Sequence, residues 1–390
     1  TGVQTCALPI SPRATRDAIV DEIGSRIPAV VDSAPDRKGP WDYFTRTFAD
    51  LPYAEYRRRP ADATGDGDLL LDENALASGL AFFSIGALEV SPDHRLLAYS
   101  VDTDGSERYR LRIRDLERDV DLEDDIPGLY YGVAWSADSA WLFYTRPDES
   151  VRPFQVWRHR LGTAASADVL VHQEDDEHFF LGVHASRSGD HIILPSGSRT
   201  TSDAHWVPAH EPEAAPRPVA RRIPGVEFEV EHLRDPSGDR WVILTNLDAP
   251  GFRVMTAPIG ASEPDGWTDL VPHRPGTRIA EVDVFARHIV CSERRDGLEH
   301  LRVVQLDDLT DHIIPMADPV YTVSTGANPD YDTDRLRYHY ASMVQPPIDL
   351  DHHLDDRTTT VVRETAVPGY DPNAYRSERR WATADDGTRI

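Results

Sequence analysis

The sequence predicts an all-β protein, a seven-bladed β-propeller preceded by one short helix. Two observations carry this. A unit of two extended runs separated by turn residues recurs along most of the 390 residues. Both runs of the unit move by the same step, so the recurrence is a repeat and not a drift of composition. A third observation agrees: helical periodicity ends near residue 40, and 30 Pro and 24 Gly supply the many turns that short strands need.

The helix comes first. In ATRDAIVDEIGSRI (residues 14–27), Ile19, Ile23 and Ile27 recur at four-residue steps, which places them on one helical face. Pro28 then restricts continuation. The clearest unit follows further on. SPDHRLLAYS (91–100) precedes YRLRIRDL (109–116), and SADSAWLFYT (136–145) precedes FQVWRHRL (154–161), both displaced by 45 residues. Weaker copies are HIILPS with AHWVPA, WVILTN with FRVMTAP, HIVCSE with LRVVQL, and LRYHYA ahead of a last pair near 348–362. Upstream, WDYFTR (41–46) pairs with YAEYRR (53–58). Seven copies of roughly 45–55 residues suit four-stranded blades, because a lone blade cannot bury both faces of its sheet and radial packing does. Two β-sandwiches are the alternative, but they do not explain a period kept in both runs.

Domain bounds follow. Residues 1–11, TGVQTCALPI and one more, resemble translated sequencing-adapter sequence and are set aside with Cys6. Residues 12–39 form an N-terminal helical segment, 40–366 the propeller, and 367–390 a linker with the start of something further. The last of these ends on ADDGTRI, where Asp386-Gly387 signals a type I′ hairpin turn with only three residues after it. A return strand needs about five residues, so the chain is expected to be part of a longer protein.

Composition narrows function. The net charge of −26 repels nucleic acid phosphates and anionic membranes and attracts cationic peptides, solubility being the plainer reading. No apolar run approaches the roughly 18–20 residues of a membrane span. Two cysteines, Cys6 and Cys291, imply no disulfide framework and suit a reducing, cytoplasmic setting. Of 41 basic residues only Lys38 is lysine, a skew typical of GC-rich coding sequence.

Chemistry is scarce. There is no G-x-S-x-G elbow, Walker loop, C-x-x-C or H-E-x-x-H. Ser196 and Ser198 lie at a strand end and not on a strand-to-helix turn. His352 and His353, beside Asp351, Asp355 and Asp356, point to opposite faces of a strand and cannot easily share one ion. HQEDDEH (172–178) reads as an acidic loop. His159 shares a strand face with Trp157 and Leu161 and reads as a hydrogen-bonded structural residue. The run from Asp62 to Glu73 has calcium-loop spacing without evident flanking helices. No catalytic residue, metal or cofactor is expected. Glu149 and Arg152, in a loop between paired strands of one blade, are candidates for substrate gating or interdomain contact.

Several repeat segments resemble one peptidase family. RPFQVWRHRLGT (152–163) is similar to a second-blade segment of the oligopeptidase B branch of the prolyl oligopeptidase family of serine peptidases. IGALEVSPDHRLLAYSVDTDGSERY (85–109), AWSADSAWLFYTRPDE (134–149), GVEFEVEH (225–232), NPDYDTDRLRYHYASMVQP (328–346) and YRSERRWATADDGT (375–388) resemble it too, collinearly over about residues 14–390. The resemblance implies a seven-bladed propeller that covers an α/β-hydrolase domain and excludes folded proteins. It implies a triad in the order Ser, Asp, His, for which no matching positions exist here; that following domain is expected to be absent. It implies cleavage of short peptides after Arg or Lys, with a prolyl preference as a variant. The implied partners are short basic peptides and the chain's own catalytic domain, with no nucleic acid and no membrane. A stand-alone propeller scaffold that binds a protein partner is the competing reading.

Overall fold

Seven antiparallel sheets follow one another along the chain in the computed structural model, which describes residues 13–389. The residues read as adapter-like, Cys6 among them, lie outside the described residues. Helix α1 (Arg13–Ser25) precedes the sheets, as its four-residue apolar step predicts, but Ile19, Ile23 and Ile27 are all more than half exposed. The first sheet joins Val30–Asp32 and Asp36–Lys38 to Trp41–Phe48, followed by Glu55–Pro60 and Asp68–Asp72. The sheets therefore begin at Val30, ten residues earlier than the sequence suggested. The reason is that VVD and DRK are short, and one of them is polar throughout, so neither shows alternation. Helix α2 (Glu73–Ala77), one turn capped by the Asp72 carboxylate, leads to the second sheet and was not anticipated.

The second sheet has strands Ser84–Val90, Leu96–Asp102, Tyr109–Asp115 and Val120–Leu129. The third has Val133–Trp135, Trp141–Pro147, Pro153–Arg160 and Val169–Gln173. RPFQVWRHRLGT thus lies on the third sheet, not the second. The remaining four occupy residues 180–218, 228–271, 277–313 and 321–364. In each, strand order follows chain order, and first strands of neighbouring sheets touch in the second to fourth sheets and between the fifth and sixth, as Ser84–Val90 touches Val133–Trp135. The first strands therefore line an axis and the fourth strands face outward. No parallel sheet occurs among the described residues.

The period is visible because each sheet is buried by its neighbours. On Leu96–Asp102, side chains alternate between faces. Leu97, Tyr99 and Val101 pack toward Leu70 and Leu71 of the first sheet, while Ala98 packs with Leu111 and Ile113 toward Trp135, Leu142 and Tyr144 of the third. A turn device repeats with the strands. The Ser91 hydroxyl donates to Asp93 (2.6 Å) and accepts the Leu96 N–H (2.9 Å). Ser136 does the same with Asp138 and Trp141. Ser186 accepts from His191 N–H and bonds the Ser188 hydroxyl. Each turn needs a left-handed residue three positions after the serine, filled by His94, Ser139 and Gly189.

Six apolar clusters fill six of the seven seams between neighbouring sheets. The seam between the seventh and first sheets is different. It is closed by polar contacts, the Arg337 guanidinium to the Pro35 carbonyl (2.9 Å) and the Gly39 N–H to Asp330 (2.7 Å). A cavity of about 580 Å³ lined by Asp36, Arg37, Asp42, Arg335 and Asp351 opens there.

At the far end, Asp386-Gly387 does turn the chain, with Thr383 opposite Arg389. The turn is not type I′. Gly387 N–H donates to the Ala384 carbonyl (2.9 Å) and Ala384 N–H to the Thr388 carbonyl (2.8 Å). Asp385 and Asp386 are thus the central residues, and Gly387 alone takes positive φ, the three-residue hairpin with a bulge.

Candidate functional site

The ring has two unlike faces. Val30 pairs with Phe48, and Glu364 pairs with Ile348, so the chain joins and leaves the ring beside the connections between second and third strands. We call this the terminal face. The connections between first and second strands form the opposite face.

Glu149 and Arg152 sit on the terminal face, in the 148–152 loop of the third sheet. Glu149 is exposed. Arg152 is 9% exposed and is turned inward. Its Nε donates to Asp148 (3.0 Å), and one terminal nitrogen donates to the carbonyls of Phe179 (2.8 Å), Asp176 (3.1 Å) and Glu174 (3.4 Å). It ties the loop to the connection leading into the fourth sheet. That connection is the acidic HQEDDEH run, and its Glu174 is itself engaged, accepting from Ser196 (2.9 Å) and Arg222 (2.5 Å). Those hydrogen bonds hold the Glu174 carboxyl below the usual range against the opposing effect of burial.

Toward the axis on this face lies a cleft of about 490 Å³ with an aromatic rim: Tyr130, Tyr131, and Phe180 at 58% exposure. It shares Pro195, Phe228 and Glu229 with an inner cavity of about 350 Å³, walled by His184, Val230, Val282 and Val284. The inner strands bring carboxylates to this cavity. Glu229 and Glu231, two apart on Phe228–Leu233, both line it, whereas Thr277–Val284 contributes Val282 and Val284 and turns Glu281 and Asp283 to its other side.

At the opposite face the axis is crossed by side chains. Arg187, in the turn of the fourth sheet, reaches two sheets on to Asp283 (2.5 Å) and the Val284 carbonyl (3.3 Å), while its N–H donates to Glu231 (3.2 Å). The 326–334 connection lies over the same region. The Tyr331 hydroxyl accepts from Arg234 N–H (2.9 Å), the Tyr331 carbonyl from Ala286 N–H (3.0 Å), and Asp330 from Gly39. The axial cavity is therefore bridged at one end and open at the terminal face. Sequence reasoning missed this, because Arg187 and Asp283 are 96 positions apart and neither stands in a motif.

One serine–histidine–aspartate grouping exists among the described residues. The Ser188 hydroxyl lies 2.7 Å from His232 Nδ1, and His232 Nε2 lies 3.6 Å from Asp239. It is not a nucleophile site. Ser188 stands in the repeated turn where the second and third sheets have Asp93 and Asp138, His232 is wholly buried, and 3.6 Å exceeds a hydrogen bond. Burial pushes the His232 imidazole down, with Asp239 and Asp190 opposing.

The other sequence candidates are structural. His159 is buried between Asp124 (2.9 Å) and Asp168 (2.7 Å). His352 is buried against His312 (3.1 Å), while His353 turns the other way toward Asp334 (3.1 Å). The Ser196 hydroxyl serves Glu174, and Ser198 closes its own loop onto Thr201. The Asp62–Glu73 run ends in α2, whose first residue is Glu73.

Residues 10–365 match the family described as prolyl oligopeptidase, N-terminal beta-propeller domain. The chain belongs to the prolyl oligopeptidase family. Similar relatives of this family include dipeptidyl aminopeptidase BI of Pseudoxanthomonas mexicana, 35% identical over 97% of this chain and 54% of that protein. Protease 2 of Moraxella lacunata is 30% identical over 96% and 54%. Among solved structures, oligopeptidase B from Leishmania major aligns with a TM-score of 0.88 at 28% identity, covering 97% of this chain and 55% of that one. Oligopeptidase B from Trypanosoma brucei aligns at 0.87 and 32%, covering 97% and 54%. The chain thus spans about half the length of the relatives it matches, and its seven sheets are the family's propeller.

Proposed function

We propose that this chain is the substrate-gating propeller of a serine-type oligopeptidase that cleaves short peptides after Arg or Lys, and that by itself it hydrolyses nothing. The observation that supports the reading is the shape of the axial cavity. It is bridged at the opposite face and open, acidic and aromatic-rimmed at the face where the chain joins and leaves the ring. A hydrolase domain seated on that face would enclose a chamber too confined for folded proteins, and closure of the two would remove water from the reacting bond. The net charge of −26 would raise the local concentration of basic peptides. A cytoplasmic setting belongs to the same reading; among the described residues no helix is long and apolar enough to cross a membrane.

The relative named dipeptidyl aminopeptidase favours a second reading, release of dipeptides from free amino termini. One experiment separates the two. The chain is expressed joined to the coding sequence that follows it, and kcat/KM is measured on Arg, Lys and Pro reporter peptides with free and with acetylated amino termini. Cleavage after Arg or Lys irrespective of acetylation supports the endopeptidase; loss on acetylation supports the dipeptidyl aminopeptidase. A preference for Pro, or hydrolysis by the 390-residue chain alone that a serine-directed inhibitor abolishes, overturns the proposal.

A further inference from the structure

A polar cluster closes the terminal-face end of the seam between the third and fourth sheets. His172 stands opposite Val156 and His205 opposite Leu194, and both of those apolar side chains belong to the core of this seam. Directly opposed residues share a side of their sheet, so the two histidines meet across the seam. Their rings lie 4.3 Å apart, tilted by 34°. The charged groups facing the pair are Glu174, which follows the third sheet's last strand, Asp203 on the strand of His205, and Arg222 beyond the fourth sheet's last strand. Asp203 lies 3.8 Å from His205 Nδ1 and accepts from Arg222 (3.0 Å). Arg222 also donates to Glu174 and stacks over the Phe179 ring at 3.7 Å. Phe179 closes the 174–179 connection, and the next residue, Phe180, lines the rimmed cleft together with Ser196 and Asp203.

We propose that the His172–His205 pair is a proton-sensitive catch on the rim of the axial cleft: neutral rings hold the 174–180 segment in place, and a proton on the pair releases it. With both rings neutral, two carboxylates share one guanidinium, and Asp203 is free to serve Arg222. An imidazolium at His205 competes for Asp203 and repels Arg222, and it repels a second charge on His172 at ring-contact distance. Both effects weaken the hold of Arg222 on Phe179, and through it the position of Phe180. Burial comes first in keeping both imidazoles below their usual range; His205 adds to it for His172 and Arg222 for both, against Asp203 and Glu174. Such a histidine favours the closed arrangement fully above about 6.5, its value in an open chain. The advantage fades as pH falls below that, because the opened segment takes up the proton first. What the released rim then admits rests on the proposed gating role; the release itself does not.

The test uses the 390-residue chain and no substrate, so it can fail or succeed independently of the peptidase reading. Amide hydrogen exchange is followed by mass spectrometry at about pH 7.5 and about pH 5.5 and corrected for the pH dependence of the chemical step. Acid is expected to speed exchange over residues 174–182 by up to about tenfold for each histidine. Residues 128–132, the matching connection one sheet earlier and without histidine, should respond less. His172→Gln and His205→Gln should each reduce the acid response, and the double variant should lose it. A second measurement needs no double variant: with ring-labelled histidine, His205→Gln should raise the midpoint of the His172 titration by about half a pH unit or more, since a charged neighbour is removed. Equal protection of 174–182 at both pH values, an equal response at 128–132, an acid response that survives in the double variant, or an unmoved His172 midpoint overturns the proposal.

Discussion

Acid is expected to loosen this ring through two buried histidines. His191, at the seam of the fourth and fifth sheets, packs against His232, Trp206 and Trp241, and its Nδ1 has no partner. His352, at the seam of the sixth and seventh, is wholly buried between Thr359 and His312. Both imidazoles are held down at about 4, first by burial and then by neighbouring positive groups: His232 for His191, and His312, His353 and Arg357 for His352. In the unfolded chain each titrates near 6.5. A depressed histidine favours the folded state fully above its unfolded pKa, and the advantage fades as pH falls from about 6.5 toward about 4, because the unfolded chain takes up the proton first. Between about pH 7.5 and about pH 5 the loss is about 2 kcal/mol per histidine. The assay is urea unfolding followed by tryptophan fluorescence at both pH values, for the parent, His191→Gln, His352→Gln and the double variant. The quantity read is the pH-induced loss, not the absolute stability, so hydrogen bonds removed by substitution cancel. Each single variant should lose about 2 kcal/mol less than the parent on acidification, and the double about 4 kcal/mol less, since the two seams share no partners. Variants that lose as much as the parent, at an unchanged m-value, would show that these histidines do not titrate on unfolding, and the reasoning fails.

Two further outcomes are expected. Arg152→Ala removes a buried guanidinium that satisfies three carbonyls and Asp148; it should cost about 2–4 kcal/mol in chemical unfolding, and proteolysis should then cut first at 148–152 or 174–179, whereas an Arg152 that matters only to a second domain would leave both unchanged. Cys291 is fully buried with its thiol pushed up to about 12 by burial and by Glu293, so a thiol reagent at mild alkaline pH should label it only after denaturant is added; labelling of Cys291 in the native chain, located by peptide mass, would contradict its placement.

Much of the architecture was legible because its stabilisation is local and periodic. Leu97 and Leu142, or Tyr99 and Tyr144, occupy equivalent positions 45 residues apart, and each is buried by the adjoining sheets. The paired strands of all seven sheets could be read from such runs. The shortest inner strands could not. Val30–Asp32, Phe180–Leu181 and His184–Ala185 are two or three residues long, too short for alternation to show.

The sequence by itself determined the repeat, the number of sheets, the turns that join them and the absence of a nucleophile motif, since each of these depends on residues close along the chain. The tertiary structure decided what lies at the centre and at the closing seam. Arg187 bridges to Asp283, Tyr331 is fixed by Arg234, and Arg337 meets Pro35 across 302 positions. Closing a ring brings first and last sheets together through contacts that no local pattern encodes, so charge compensation, cavity shape and access become visible only once the ring is closed.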